Sequence, residues 1–294
     1  MANDRPDDQR IDEATGTGFV GHEWDGIEEL DTPMPRWWLW TFYLTIIWAV
    51  GYAIAYPALP LVSGAPRGLL DYSSREAVHE KMAAAREAQA DLHQKIESLP
   101  VAEIRQNPDA YQFAVNGGRA AFAVNCSQCH GSGAQGSPGY PNLNDDDWLW
   151  GGSLQAIQTT IQHGIRFAGD DDSRYSEMPA FGRDGLLNHA QIVDAANYVR
   201  KLAGLEHDSA AAEAGMTVFE ENCAACHKSN GVGDREQGAP NLTDAIWHYG
   251  SSLDAVTRQI SNPKHGVMPA WGGRLDAATI KELTLFVHSL GGGE

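Results

Sequence analysis

The sequence Cys126-Ser-Gln-Cys-His130, matched in kind by Cys223-Ala-Ala-Cys-His227, constrains this chain more than any other feature. Two thiols three residues apart fall on one face of a helical turn, and a histidine follows directly. C-x-x-C-H is the attachment pattern for c-type haem: each thiol can form a thioether to a vinyl group, and the histidine can ligate the iron from the same side. All four cysteines of the 294 residues lie in these two motifs, so none remains for a structural disulfide. Other uses of such cysteines fit less well. A zinc site of two C-x-x-C pairs separates them by about fifteen to twenty residues, whereas Cys126 and Cys223 stand 97 apart. A dithiol redox motif accompanies alternating strands and helices, a pattern this sequence lacks. The motifs therefore predict two covalently bound haem c groups, one on Cys126 and Cys129 and one on Cys223 and Cys226, with His130 and His227 as the proximal iron ligands.

The duplication extends beyond the motifs. Gly118-x3-Phe122-x2-Asn125-Cys126 recurs as Gly215-x3-Phe219-x2-Asn222-Cys223, an offset of 97. Pro141-Asn-Leu143 recurs as Pro240-Asn-Leu242, and Trp148-x2-Gly-x-Ser-Leu154 as Trp247-x2-Gly-x-Ser-Leu253, both offset by 99. Met178-Pro-Ala-Phe-Gly182 recurs as Met268-Pro-Ala-Trp-Gly272, offset by 90, which leaves an insertion of nine residues in the first copy around Asp170-Asp-Asp172. Each copy ends on a helix, Ala190–Leu202 and Ala277–Leu290. Gly118 and Gly215 lack a β-carbon and allow another helix to cross closely. Phe122 with Tyr198 in one copy, and Phe219 with Phe286 in the other, are the expected fillers of those crossings. The copies define domains at 109–205 and 209–292. Domains this small gain much of their apolar core from an embedded haem.

Upstream, residues 1–36 read as an acidic tail, with ten acids against three arginines, interrupted by the patch Gly21-His-Glu-Trp-Asp-Gly26. Residues 37–56, Trp37 to Tyr56, run twenty positions without a charge, enough to span a bilayer as one transmembrane helix. Trp37, Trp38 and Trp40 mark one interface and Tyr52 and Tyr56 the other, and Pro57 and Pro60 stop the helix. This is an uncleaved anchor. Arg36 before it and Arg67 and Arg75 after it decide little about orientation; attachment of bacterial c-type haem on the periplasmic side places the N-terminal tail in the cytoplasm. Residues 57–108 form a linker holding an amphipathic helix over 72–99. Ser73 and Glu76 cap it, and Val78, Met82, Ala85, Ala88, Leu92, Ile96 and Leu99 form one face. That stripe is expected to pack on the haem domains or on a partner subunit, with Met82 in it as a packing residue. The formal charge of −18 excludes nucleic acid as a partner and favours a basic one.

Both copies resemble class I cytochrome c domains: a helix entering C-x-x-C-H, a Pro-Asn-Leu loop, a late methionine and a closing helix. The resemblance implies an all-α fold in which the carbonyls of Pro141 and Pro240 orient the proximal histidines, and Met178 and Met268 supply the sixth iron ligands. His163 and His265 are the rival sixth ligands, but they do not occupy equivalent frames. Spacing leaves open which methionine serves which haem. The whole chain is similar to the dihaem subunit III of cbb3-type cytochrome c oxidases, through His22-Glu-Trp-Asp-Gly-Ile27, Pro33-Met-Pro-Arg-Trp-Trp-Leu-Trp40, the span Gly51-Tyr52…Tyr56-Pro57 and the two haem domains. That resemblance favours a crossed pattern, with Met268 serving the haem on Cys126 and Cys129 and Met178 the haem on Cys223 and Cys226.

It also implies a bacterial inner-membrane protein with periplasmic haem domains that is not an enzyme on its own. Such a chain carries single electrons from a soluble or membrane cytochrome c, or a quinol–cytochrome c oxidoreductase, to a mono-haem subunit and a catalytic haem–copper subunit. A free-standing dihaem carrier and a dihaem peroxidase are the alternatives. The Pro-Arg-Trp-Trp segment with its anchor argues against the first, and two equally furnished methionine frames against the second.

Overall fold

Asp25 and Gly26 both adopt a left-handed backbone, with φ of 52° and 83°. An Asp-Gly pair of this kind makes the two-residue turn whose twist suits a hairpin. Here it joins β1 (Phe19–Trp24) to β2 (Ile27–Leu30) in an antiparallel pair, Trp24 opposite Ile27 and Glu23 opposite Glu28, with an irregularity before Phe19 meets Leu30. Turn chemistry thus places a short hairpin in the stretch expected as an acidic tail, and the named elements that follow it are all helices. The computed structural model describes residues 10–56, 62, 64 and 67–294. The start of the tail and the helix stops expected at Pro57 and Pro60 lie outside the described residues.

The apolar run forms α1 (Arg36–Ala55), with Pro35 at its N-cap and none of it buried. Among the described residues it is the one helix long and apolar enough to cross a membrane, and it marks a membrane-anchored protein. Its two threonine hydroxyls turn inward: Thr41 donates to Trp37 O at 3.0 Å and Thr45 to Phe42 O at 2.7 Å, which satisfies them where no water would. After α1, Leu69 N and Leu70 N donate to the otherwise free carbonyls of Ile54 and Ala55. Gly68 permits that return, since a β-carbon there would stand 2.4 Å from Ala55 O.

The next helix, α2, runs Ser74–Ser98, with Ser73 Oγ accepting from Glu76 N at 3.3 Å. Val78 and Met82 are 55% and 45% exposed, and Ile96 at the far end is fully buried. The chain forms two compact units, Met1–Glu87 and Ala88–Glu294. In the second unit Ile96 joins Val101 and Ile104 of α3 (Val101–Gln106) and Ala110 and Ala114 of α4 (Pro108–Asn125) in one apolar cluster with Leu285. The end of the expected linker is thus part of the core.

The rest of this unit comprises α5 (Ser127–His130), α6 (Leu154–His163), α7 (His189–Leu202), α8 (Ser209–Asn222), α9 (Ala224–His227), α10 (Leu253–Ser261) and α11 (Ala277–His288). The two sequence copies do not each close on their own last helix. α7 packs on α8, and α11 returns to pack on α4. A β-carbon at Gly118 would lie 2.1 Å from Glu282 O on α11, and one at Gly215 would lie 2.0 Å from Asp194 O on α7. The aromatic pairs are exchanged accordingly. Phe122 meets Phe286 at 5.3 Å between ring centroids, and Tyr198 meets Phe219 at 5.2 Å, correcting the pairings Phe122 with Tyr198 and Phe219 with Phe286. The physical reason lies in the connection: only residues 203–208 separate α7 from α8, and helices joined so briefly pair as an antiparallel hairpin.

The result is a nested arrangement. An inner body, continuous from Met178 to Ser261, holds α7 to α10 around Phe181, Ile192, Tyr198, Phe219, Val256 and Ile260. An outer body holds α4 to α6 and α11 around Phe122, Ile157, Ile161, Leu283 and Phe286. The domain limits 109–205 and 209–292 therefore describe the sequence repeat and not the packed bodies.

Candidate functional site

α4 runs straight into the first motif. Cys126 N donates to Phe122 O, and Cys129 N and His130 N both return to Cys126 O, so the five residues make one tight turn. α8 delivers Cys223 through the same bonds from Phe219, Cys226 and His227. Cys126 packs against the outer core and Cys223 against the inner one. Burial pushes both thiols up to about 11. A redox dithiol needs the opposite shift, toward thiolate.

His130 donates from Nδ1 to Pro141 O at 3.0 Å, and His227 from Nδ1 to Pro240 O at 3.0 Å. A carbonyl oxygen only accepts, so the proton resides on Nδ1 and the Nε2 lone pair is free. Burial lowers both histidine pKa values, opposed by these hydrogen bonds, a shift toward the neutral ring that a ligand needs.

The methionine loops are exchanged like the helices. Trp271 N and Gly272 N, beyond Met268, donate to Ile161 O and Gln162 O at the end of α6. Gly182 N and Arg183 N, beyond Met178, both donate to Ser261 O at the end of α10. Met268 accordingly packs on the cluster that includes Cys126, and Met178 on the one that includes Cys223. The rival histidines have other partners. His163 Nδ1 lies 3.2 Å from both carboxylate oxygens of Asp170, in the insertion of the first copy. His265 Nε2 accepts from Met178 N at 3.1 Å.

A single cavity of about 730 Å³ is lined by both C-x-x-C-H turns, both methionines and the carbonyl-bearing Pro141 and Pro240. Its chemistry fits haem. Each half offers two thiols, an imidazole with a free Nε2 and a thioether within apolar walls, the donor set of a covalently bound, six-coordinate haem c. His248, also in its wall, has its Nε2 buried with no hydrogen-bond partner among the described residues, a polar atom suited to a haem carboxylate. Sequence reasoning missed His248, which has no counterpart in the first copy, where Leu149 occupies the same frame.

Comparison with known proteins decides the family. Residues 16–63 match the N-terminal domain of cytochrome oxidase-cbb3, FixP, and residues 113–199 and 210–287 match cytochrome c oxidase, cbb3-type, subunit III. The chain belongs to the cbb3-type subunit III family. A relative described as the cbb3-type cytochrome c oxidase subunit FixPc of Rhizobium leguminosarum bv. viciae is 55% identical over 97% of this chain and 99% of its own. The subunit CcoP of Cereibacter sphaeroides is 53% identical over 94% of this chain and 95% of its own. The first of these three matched regions covers the Asp25–Gly26 hairpin and α1, so both belong to the family pattern.

Proposed function

We propose that this chain is the dihaem electron-transfer subunit of a cbb3-type terminal oxidase, relaying single electrons and transforming no substrate itself. The observation that carries the reading is the one cavity lined by two C-x-x-C-H turns and two methionines. Bound there, haem iron supplies one-electron redox chemistry between its ferrous and ferric forms. The chain's residues do the rest. Cys126 and Cys129, and Cys223 and Cys226, anchor the two groups as thioethers. His130 and His227 present Nε2, with ring and tautomer fixed by Pro141 and Pro240. Met268 would be the second iron ligand for the haem on Cys126 and Cys129, and Met178 for the haem on Cys223 and Cys226. A thioether in place of water raises the potential and shuts out small ligands.

In this reading α1 holds the chain in the bacterial inner membrane, single-pass, with the N-terminus cytoplasmic and the haem bodies periplasmic. Electrons arrive from a cytochrome c or a quinol–cytochrome c oxidoreductase. They leave for the mono-haem subunit and the haem–copper subunit of the complex. The charge of −18 suits docking of a basic donor.

The test is purification from gently solubilised membranes, with haem typing and metal analysis. The expected result is two c-type haems per chain, accompanied by haem b, copper and oxygen-consuming activity. A c-haem count other than two, or purification of this chain alone with no oxidase attached, would overturn the reading.

A further inference from the structure

One side chain joins the two methionine loops. Arg166, just past α6, donates from Nε to Gly266 O at 2.7 Å and from Nη1 to Ser176 O at 2.9 Å. Gly266 stands two residues before Met268, and Ser176 two before Met178. The two carbonyls are equivalent positions of the repeat, at the same offset of 90 as the methionines. One guanidinium therefore grips corresponding points of both copies. A planar fork with fixed donor directions suits that task, and an ammonium does not.

The backbone beneath Arg166 is fixed with unusual care. Ile165 exchanges both of its backbone hydrogen bonds with Met268, at 2.9 and 3.0 Å. Gly164 allows this approach, since a β-carbon there would stand 2.3 Å from Met268 O. Arg166 has a left-handed φ of 52°, and its N–H donates to Arg174 O at 2.7 Å, while Arg174 N donates back to Gly164 O. A bulky residue holds that backbone conformation only where its surroundings enforce it. At the position equivalent to Arg166 by the offset of 99 stands His265, which reaches the opposite way to accept from Met178 N. Each methionine loop is thus held by a side chain from outside its own stretch of chain. Arg166 also lines the haem cavity, where both loops meet.

We infer that Arg166 is a positioning residue for both distal methionines: it locks the two loops to each other, so that neither thioether leaves its site independently. The inference rests on the methionine ligation proposed above. Removing the guanidinium strands two carbonyls at once and takes from both loops the tie that joins them.

The experiment uses the full-length chain in its purified complex, with Arg166→Met and Arg166→Lys. The readouts are the far-red methionine–iron charge-transfer band of the oxidised c-type haems, carbon monoxide binding by the reduced c-type haems, and the potential of each. A hydrogen bond from a charged donor shifts a local equilibrium by about tenfold or more. The methionine-detached fraction should rise by about that factor at both haems in Arg166→Met, and both potentials should fall together. Arg166→Lys, with one point donor, should recover part of the loss. Unchanged bands and potentials in both variants, or a change confined to one haem, would overturn the inference. Should Arg166→Met fail to accumulate, Arg166→Lys alone decides, since wild-type spectra in that variant contradict the tie. Absence of the charge-transfer band in the unmutated protein would instead refute methionine ligation itself.

Discussion

Gly118→Ala tests the exchange of helices at its tightest point. The added β-carbon would stand 2.1 Å from Glu282 O and 2.7 Å from the β-carbon of Phe286, both on α11. Carbon–oxygen contacts of this kind settle at about 3.3 Å, so α4 and α11 must part by about 1 Å. The intruded atom is backbone, and no rotamer change can relieve it. Alanine gains about 1 kcal/mol of helix propensity over glycine, while forced overpacking costs about 1–3 kcal/mol and more against rigid neighbours. The net expected is a loss of about 2 kcal/mol. It should fall on the outer body and on the haem at Cys126. Gly215→Ala, where the β-carbon would meet Asp194 O at 2.0 Å, should instead disturb the inner body and the haem at Cys223. Guanidinium titrations followed at each haem separately measure both. If Gly118→Ala stabilises the chain, or unsettles the haem at Cys223 first, α4 does not meet α11 and the nested arrangement is wrong.

Other expectations follow from the same contacts. In a double-mutant cycle, Phe122→Leu with Phe286→Leu should show about 0.5–1.5 kcal/mol of coupling, while Phe122→Leu with Tyr198→Leu should add independently. Glu282 is buried on α11, and desolvation, with Asp276 nearby, lifts its carboxyl from 4.5 to about 7. Between those values the folded chain keeps a proton that the unfolded chain releases. Stability therefore falls as pH rises through the window, by up to about 3 kcal/mol. Glu282→Gln should flatten that slope and be the more stable form above pH 7, read from thermal midpoints between pH 5 and 8; an unchanged slope would assign the effect elsewhere. A chain truncated after residue 205 keeps Cys126 to His130 but loses α11 and Met268, so any haem attached there should lack the methionine–iron charge-transfer band, as spectra after periplasmic expression would show.

What the sequence made legible is whatever has a local cause. Two C-x-x-C-H turns, an uncharged twenty-residue run and two glycines in matching frames each point to one physical requirement, and the helices and close crossings lie where those residues stand. Helix exchange was harder to read, because a repeat aligns residues without saying which copy supplies the closing helix. The short connection at 203–208 was the available signal, since it ties α7 to α8 whatever the alignment suggests. The hairpin was also legible in principle. Asp25-Gly26 between Trp24 and Ile27 is a strong hairpin cue, set in an acidic stretch whose composition by itself suggests a tail. The stripe on α2 shows the opposite failure: periodicity identified the helix and its apolar face, but not whether this chain covers that face. Arg166 was invisible, because its partners are two backbone carbonyls far apart in sequence.

In the proposed site the two haems are crossed, each proximal motif served by the methionine of the other copy. The most direct measurement retains one haem only, by Cys126→Ser and Cys129→Ser in the full-length chain, and records the methionine–iron charge-transfer band of the haem on Cys223 and Cys226. Adding Met178→Ala should abolish that band, and adding Met268→Ala should leave it in place. The reverse outcome, with the band lost in Met268→Ala and kept in Met178→Ala, would contradict the crossed site and return each methionine to the opposite haem.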